Sequence, residues 1–450
     1  MSVRWRGIGS VLAGSGVAAF VACHDAAPNL GVHESDVTGS GNSLGVVCAN
    51  ITDYGAAADD HTDDTAGIKN ALCAALCDDP PAFCVAHYDC GSAGSGSGQR
   101  SHAVCVPAGE FDVDRPATGD YSFDLTGTKR LTVYGTGAAS TLAMHGSGDG
   151  SCSGSNNNTY PGWQMFHLGS GAAGAPWPTW ECNEFSSTAC GIEFRDLTFT
   201  SKGVYGYDDQ STQFVFVHGG YNDVAIDRAR FIDACGDDVY MYGATGIRLT
   251  NSTFSHWGRE ALGLNVGAGA MTMLHNYFDG TGAVRTELNG AGLHDWVISG
   301  NVFASSAVTD LEIEGNTGLL TQRVVISDNL FLGPAVATAN VSDVVIRNNV
   351  VVNSIDTENT MSASGPMDRA DLSNNVIVNT GSTTHDCVAL HATAGSYSVR
   401  FAGNVVICPG WRERRSRRYR RLLASGGREQ LRVRRDGVPG RDPELDGSDR

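Results

Sequence analysis

IEFRDLTF (192–199), VAIDRARF (224–231), IRLTNSTF (247–254), MTMLHNYF (271–278), WVISGNVF (296–303), VVISDNLF (324–331), VVIRNNVV (344–351), ADLSNNVI (370–377) and VRFAGNVV (399–406) are nine copies of one octapeptide, apolar at positions one, three and eight. Successive copies begin 20 to 32 residues apart. A unit of that period, built from short alternating segments, cannot bury its apolar face alone and must stack on its neighbours. The repeat therefore predicts one coil of a β-solenoid per copy.

Position six is Asn in each of the last six copies: Asn276, Asn301, Asn329, Asn349, Asn375 and Asn404. Asn tolerates the left-handed backbone of a tight turn, and its amide can bond the same amide one coil away. This is the pattern of an asparagine ladder. Two strands around the ladder turn and a third strand closing the coil describe an all-β right-handed parallel β-helix, and a phase kept nine times argues against a sandwich. The 450 residues then form one elongated domain, with 57 Gly and only 13 Pro suiting many tight turns between short strands.

The first residues read as an export signal. Arg4 and Arg6 precede an apolar stretch, Ile8 to Ala22, too short for a permanent membrane span. Phe20-Val21-Ala22-Cys23 resembles a bacterial lipoprotein signal, which implies lipidation of Cys23 as the first mature residue; an ordinary secretory signal is the second reading. Residues 1–23 are thus expected to be the signal and 24–46, rich in Gly, Ser and Asp, a flexible tether. The expected location is the outer membrane or cell surface, otherwise the medium, with the membrane met only through the lipid.

Twelve further Cys fit an oxidising compartment. Five of them fall between 73 and 105, so disulfides pinning an insertion are expected there. Charge divides the chain: residues 1–410 carry −24 and residues 411–450 carry +6 with 13 Arg. The tail from 409 lacks the octapeptide, and is read as a disordered or out-of-frame extension uncoupled from the β-helix domain at 47–408. No nucleic-acid motif accompanies its Arg run.

ITDYGAAADDHTDDTAGIKNAL (51–72) resembles the opening segment of the pectate-lyase-like superfamily of β-helix proteins, a turn and an acidic loop leading into a helix. Asp64 or Thr65 can cap that helix, and Ile68, Leu72 and Leu76 share one face, suited to closing the end of the solenoid. VCVPAGEF (104–111) and LTVYGTG (131–137) resemble the superfamily's next two signatures. The resemblance spans about residues 48–408 and implies fold.

Chemistry is expected on the flank of the coils. After four octapeptides a further strand aligns: VYMY (239–242), LGLN (262–265), VRTE (284–287) and LEIE (311–314). Alternation sends Tyr240, Tyr242, Asn265, Arg285, Glu287, Glu312 and Glu314 outward, with Asp238 and Asp310 on the same outer face. Stacked carboxylates repel unless an Arg, a proton or a metal intervenes, which is how pKa values are shifted into a useful range. Asp237-Asp238 resembles the aspartate pair of polygalacturonase-like glycosidases, although the companion Asn-Thr-Asp, Gly-His-Gly and Arg-x-Lys signatures are absent. SHWGREALGL (255–264) and VRTELNG (284–290) look closer to uncharacterised β-helix proteins of the superfamily, which implies Arg259 and Glu287 as leading positions.

The expected catalytic residues are therefore Asp238, Glu287, Arg259 and Glu314, with Tyr240, Tyr242, Asn265, Arg285 and Glu312 binding a polysaccharide. Two carboxyls suffice for glycoside hydrolysis, at separations of about 5 Å or about 6.5–9.5 Å. In the lyase alternative, Asp310, Glu312 and Glu314 would hold calcium; the hydrolase needs no cofactor. A glycan-binding adhesin is the non-enzymatic alternative. A monomer is expected.

Overall fold

The computed structural model describes residues 48–76, 103–114, 121–125, 130–145, 163–169, 191–201, 212–218, 223–234, 236–265, 269–280, 283–286, 294–304, 310–314, 321–333, 336–339, 341–353, 361–365, 369–380, 387–392, 399–407 and 430–431. They lie in one compact unit, Val37–Arg450. For some strands, Ala283–Thr286 among them, only the backbone is described.

Each octapeptide folds as the alternation requires. Its first half is a strand of the first sheet, as in Val224–Asp227, and its last residues open a strand of the second, as in Arg230–Ile232. A third strand, as in Asp237–Tyr242, completes the coil. Each strand pairs in parallel with its equivalent one coil away, giving sheets of 13, 11 and 10 strands. The fold is a right-handed parallel β-helix. The third sheet extends well beyond the four strands expected from sequence, and two coils precede the first octapeptide, at Ala103–Asp124 and Arg130–Gly169.

Positions one, three and eight fill the core. Ile226, Leu249, Ile298 and Ile326 are buried at position three. At position eight Phe199, Phe231, Phe254, Phe278, Phe303 and Phe331 form one pile of rings with centroids 4.7 to 4.9 Å apart. That distance is the strand spacing itself, so stacking follows from register.

The asparagine ladder is present, with one correction. The left-handed residue is position five, not six: Asn251, His275, Asp328, Asn348 and Asn374 have φ between 52° and 60°, and Gly300 and Gly403 fill the same place. Position six carries the hydrogen bonds. The Oδ1 of Asn301 accepts both the backbone N–H and the Nδ2–H of Asn276, at 2.9 and 3.0 Å. Its own Nδ2 donates to the carbonyl of Met273 at 3.0 Å. The same bonds recur at Asn329, Asn349, Asn375 and Asn404. Ser252, at position six of the third copy, extends the row by accepting the N–H of Ala229 at 3.1 Å.

The helix Thr65–Leu76 buries Ile68, Leu72 and Leu76 against the first coils. Its cap differs from expectation: Asp63 Oδ1 accepts the Thr65 amide, while Asp64 accepts the amides of Ala57 and Asp112 at 2.7 and 2.9 Å. Asp64 thus ties the helix to the wall. A disulfide joins Cys48, the residue before the strand Ala49–Asn50, to Cys105 on the strand paired with it in the first sheet. Cys387 is also disulfide-bonded. Cys23, the tether and most of the insertion 73–105 lie outside the described residues. Of residues 411–450, Gln430–Leu431 is described, and it pairs antiparallel with Val399 and Arg400. The tail was expected to be uncoupled from the stack, and this pairing is where the structure differs.

Candidate functional site

The outer face of the third sheet is built by register. One column runs Asp124, His167, Phe216, Tyr240, Gly263, Arg285, Glu312 and Ala337. Its neighbour runs His218, Tyr242 and Asn265, with Glu314 further along. The early coils place rings here. Tyr121 stacks on His167 at 3.8 Å, His167 lies 5.5 Å from Phe216, and Phe216 lies 5.7 Å from Tyr240. Asp124 Oδ1 sits 3.0 Å from His167 Nδ1. Tyr240 ends the stack and leans over Gly263, where a Cβ would come within 2.5 Å of its ring. Asn265 Nδ2 donates to Tyr240 Oη at 2.8 Å.

Tyr240 is therefore packed by neighbouring coils on one side and backbone on the other. Burial raises its phenol pKa, offset in part by Asn265. It can offer a ring edge and a hydroxyl to a ligand, but no open ring face.

A second column lies beneath, at the inward position that opens each third-sheet strand. It runs Gln164, Gln213, Asp237 and Glu260, all buried. Gln164 Nε2 donates to Gln213 Oε1 at 3.0 Å, and Gln213 Nε2 reaches Asp237 Oδ2 at 3.5 Å. Arg259 enters from the preceding turn, with Nη1 3.2 Å from Asp237 Oδ2 and Nη2 3.4 Å from Glu260 Oε1. The amides of Gly258 and Arg259 both donate to the carbonyl of Gly236, which fixes that turn on the coil before it.

Asp238 is expected on the open outer face, and the structure corrects this: it is 0% exposed, and neither carboxyl oxygen finds a hydrogen-bond partner among the described residues. Burial pushes its carboxyl well above the usual range, and the charges of Asp237 and Asp233 add to this. Asp237 is raised well above its usual value too, by burial first and Glu260 second, against the pull of Arg259. A carboxyl without a donor in a dry corner is stable as the neutral acid.

The remaining sequence-derived positions divide clearly. Arg259 stands in the cluster, Tyr240 and Asn265 touch, and Tyr242 aligns with Asn265. Arg285 and Glu312 are register partners, as expected. Glu287 and the side chain of Glu314 lie outside the described residues. Asp310, expected to hold calcium on the outer face, is 1% exposed and accepts the Gly333 amide at 2.8 Å. Among the described residues, the group close enough to share an ion is His61, Glu110 and Asp112, at the N-terminal end of the stack. His256 pairs with Asp233 at 3.3 Å, as a turn histidine should.

Sequence reasoning missed Gln164, Gln213, Glu260 and the Asp124–His167 pair. QMFHLG (164–169), QFVFVH (213–218), DDVYMY (237–242) and EALGLN (260–265) share one alternation headed by a buried polar residue, and aligning them would have found the column.

No curated protein matches the sequence. Solved structures with a similar fold include the A-module of a mannuronan C-5 epimerase from Azotobacter vinelandii, 18% identical over 79% of this chain and 87% of that one, with a TM-score of 0.47. A DFA-IIIase from Arthrobacter chlorophenolicus is 12% identical over 85% and 89%, with a TM-score of 0.49. PfbA, a surface adhesin of Streptococcus pneumoniae, is 13% identical over 81% and 92%, with a TM-score of 0.46. Residues 213–406 match the family described as the right handed beta helix region, and with its three stacked parallel sheets the chain is a right-handed parallel β-helix protein.

Proposed function

We propose that this protein acts on a polysaccharide laid along the outer face of the third sheet, and that it cleaves glycosidic bonds by carboxyl acid–base chemistry. The observation that carries the reading is the pair Asp237 and Glu260 held by the guanidinium of Arg259, with the buried Asp238 next in the chain and the Tyr240–Asn265 pair on the same two strands. Glycoside hydrolysis needs one carboxyl protonated near neutral pH and another ionised, and environments that push carboxyl pKa values apart supply both. Burial raises Asp238 and, against the pull of Arg259, Asp237, which is the direction an acid requires.

Glu287, next in sequence after the strand Ala283–Thr286, is proposed as the carboxylate that meets the substrate, with Glu314 proposed as its partner. Arg259 is clamped by two acids, so it serves as a fixed charge and donor and not as a base. This favours hydrolysis over a lyase in which Arg takes the proton. Asp238 contacts substrate only if what covers it moves aside, and that enclosure favours, as the second reading, a glycan-binding solenoid without turnover. The site is proposed to work outside the cytoplasm, on a chain anchored through Cys23, with calcium needed only in the lyase alternative.

The test is a screen of the purified chain against neutral and uronic polysaccharides, with and without a chelator. New reducing ends without an ultraviolet-absorbing unsaturated product support hydrolysis. An unsaturated product that needs calcium would replace it with the lyase, and retention on a glycan without cleavage would leave the binding module.

A further inference from the structure

The outside of the second sheet changes character halfway along the stack. Positions seven and nine of each coil flank the buried position eight and face outward. In the coils from 198 to 279 they include Thr198, Arg230, Thr253, Tyr277, Ser255 and Asp279, a mixed polar surface. From residue 302 onward position seven is Val302, Leu330, Val350, Val376 and Val405, each in register with the next. Position nine is Ala304, Leu332, Val352, Val378 and Ile407. Five coils thus present ten aliphatic side chains and no charge. Leu332, Val405 and Ile407 are 41%, 48% and 42% exposed.

The first sheet makes the contrast sharper, because its outer face over the same coils is laced with ion pairs. Arg323 pairs with Asp295, Arg369 with Asp343, and Arg400 with Asp371. Ordinary solvation of a β-helix face is thus available to this chain, and the aliphatic field departs from it.

With strands about 4.8 Å apart and alternate residues about 7 Å apart, the field measures roughly 24 by 14 Å, or about 340 Å². A monomer's largest apolar patch is about this size and is often functional. A standard interface buries about 800 Å² per partner, an apolar core inside a polar rim. The field matches such a core and is too small to be the whole contact.

We infer that the aliphatic field seats a second copy of this chain, face to face, in a two-fold dimer of modest affinity. A two-fold contact requires a surface complementary to itself, and a flat lattice of similar side chains at one fixed period offers its copy matching ridges and grooves. Net charge selects the same place. At −18 two copies repel, and the uncharged field is where they can approach without like charges meeting.

Sedimentation of the full chain from low to high micromolar concentration tests this. A concentration-dependent dimer is expected. Val350→Glu, at the centre of the field, should weaken it at least ~10-fold, as a desolvated charge at an interface core does. Thr253→Glu, on the polar half of the same sheet, should leave it unchanged. If circular dichroism shows Val350→Glu misfolded, Leu332→Glu gives the same reading from a position outside the paired strands. A chain that stays monomeric at every concentration overturns the inference, as does a dimer indifferent to both Glu variants. Monomers that bind phosphatidylcholine vesicles through Val350 would assign the field to lipid and overturn it equally.

Discussion

Along the corner between the first and second sheets, every buried asparagine amide spends its hydrogen bonds on the coils beside it. At the opening of the third sheet, Gln164, Gln213, Asp237 and Glu260 form a column equally buried, yet Asp237 and Asp238 keep carboxyl oxygens with no hydrogen-bond partner among the described residues. Both columns run along the axis of the same stack. The first is neutral and saturated, which is what a structural element needs. The second concentrates like charge around one arginine in a dry place, at a cost in stability that the fold does not require. The difference separates the column that holds the coil together from the one proposed to carry its chemistry.

Arg259→Met should break the second column most severely. Removing the one cation leaves Asp237 facing Glu260, and the loss should be about 3–5 kcal/mol at neutral pH. Denaturation in acid should recover much of it, because the two acids are then neutral. An equal loss at both pH values would mean that the arginine matters for packing alone.

The first column has its own internal control in the adjacent pair Asn348 and Asn349. Asn349→Leu orphans the Asn329 backbone amide and the Ile326 carbonyl, at about 1–3 kcal/mol for each buried group, and leaves Asn375 Oδ1 with the backbone N–H of residue 349 alone. A total of about 3 kcal/mol or more is expected in urea denaturation. A smaller loss would demote the ladder from scaffold to ornament of the turn.

Glu287→Gln keeps shape and removes charge, so turnover of any polysaccharide cleaved should fall about 10²-fold while binding persists. Full activity would place the chemistry elsewhere on the flank.

Stability should also decline as pH rises. Asp237 and Asp238 hold protons more tightly in the folded chain than at the ordinary value of 3.8, so their stabilisation is full below that value and is lost as pH climbs through their raised folded values. Asp64 acts in the same direction. The variant Asp238→Asn should flatten the decline between acid and neutral pH, measured by thermal unfolding, and an unchanged slope would show that Asp238 is not the group responsible.

Smallest of all should be Asn348→Gly. This residue holds φ at 56°, where glycine is unstrained, and its side chain is exposed, so a change within about 1 kcal/mol is expected. If Asn348→Gly cost as much as Asn349→Leu, the division of labour between positions five and six would be wrong.

The coil was legible because its determinants repeat. Phe at position eight and Asn at position six return in phase, and register turns each into a physical stack. Even so, the sequence led to the wrong member of the turn, since Asn occupies position five at 251, 348 and 374 as well as position six, and residue type alone does not say which φ is positive. The site was half legible for the opposite reason. Alternation placed Tyr240, Asn265 and the Arg285–Glu312 pairing, which depend on register. The clamp on Arg259 depends on Gly258 and Arg259 bonding back to the carbonyl of Gly236, a contact with no periodic signature, and alternation by itself does not report the burial of Asp238. The Gln-Gln-Asp-Glu column belongs to no repeated octapeptide, and only a strand-by-strand alignment of the third sheet brings its four members into line.

Because every strand meets its equivalent one period away, position along the axis is counted in coils, each about 4.8 Å. The molecule is in that sense a ruler. Inserting one whole period between the Asp237–Glu260 cluster and the aliphatic field that begins at Val302 would move them apart by a fixed step while leaving each intact. Length can therefore evolve by duplication, without redesign of either surface.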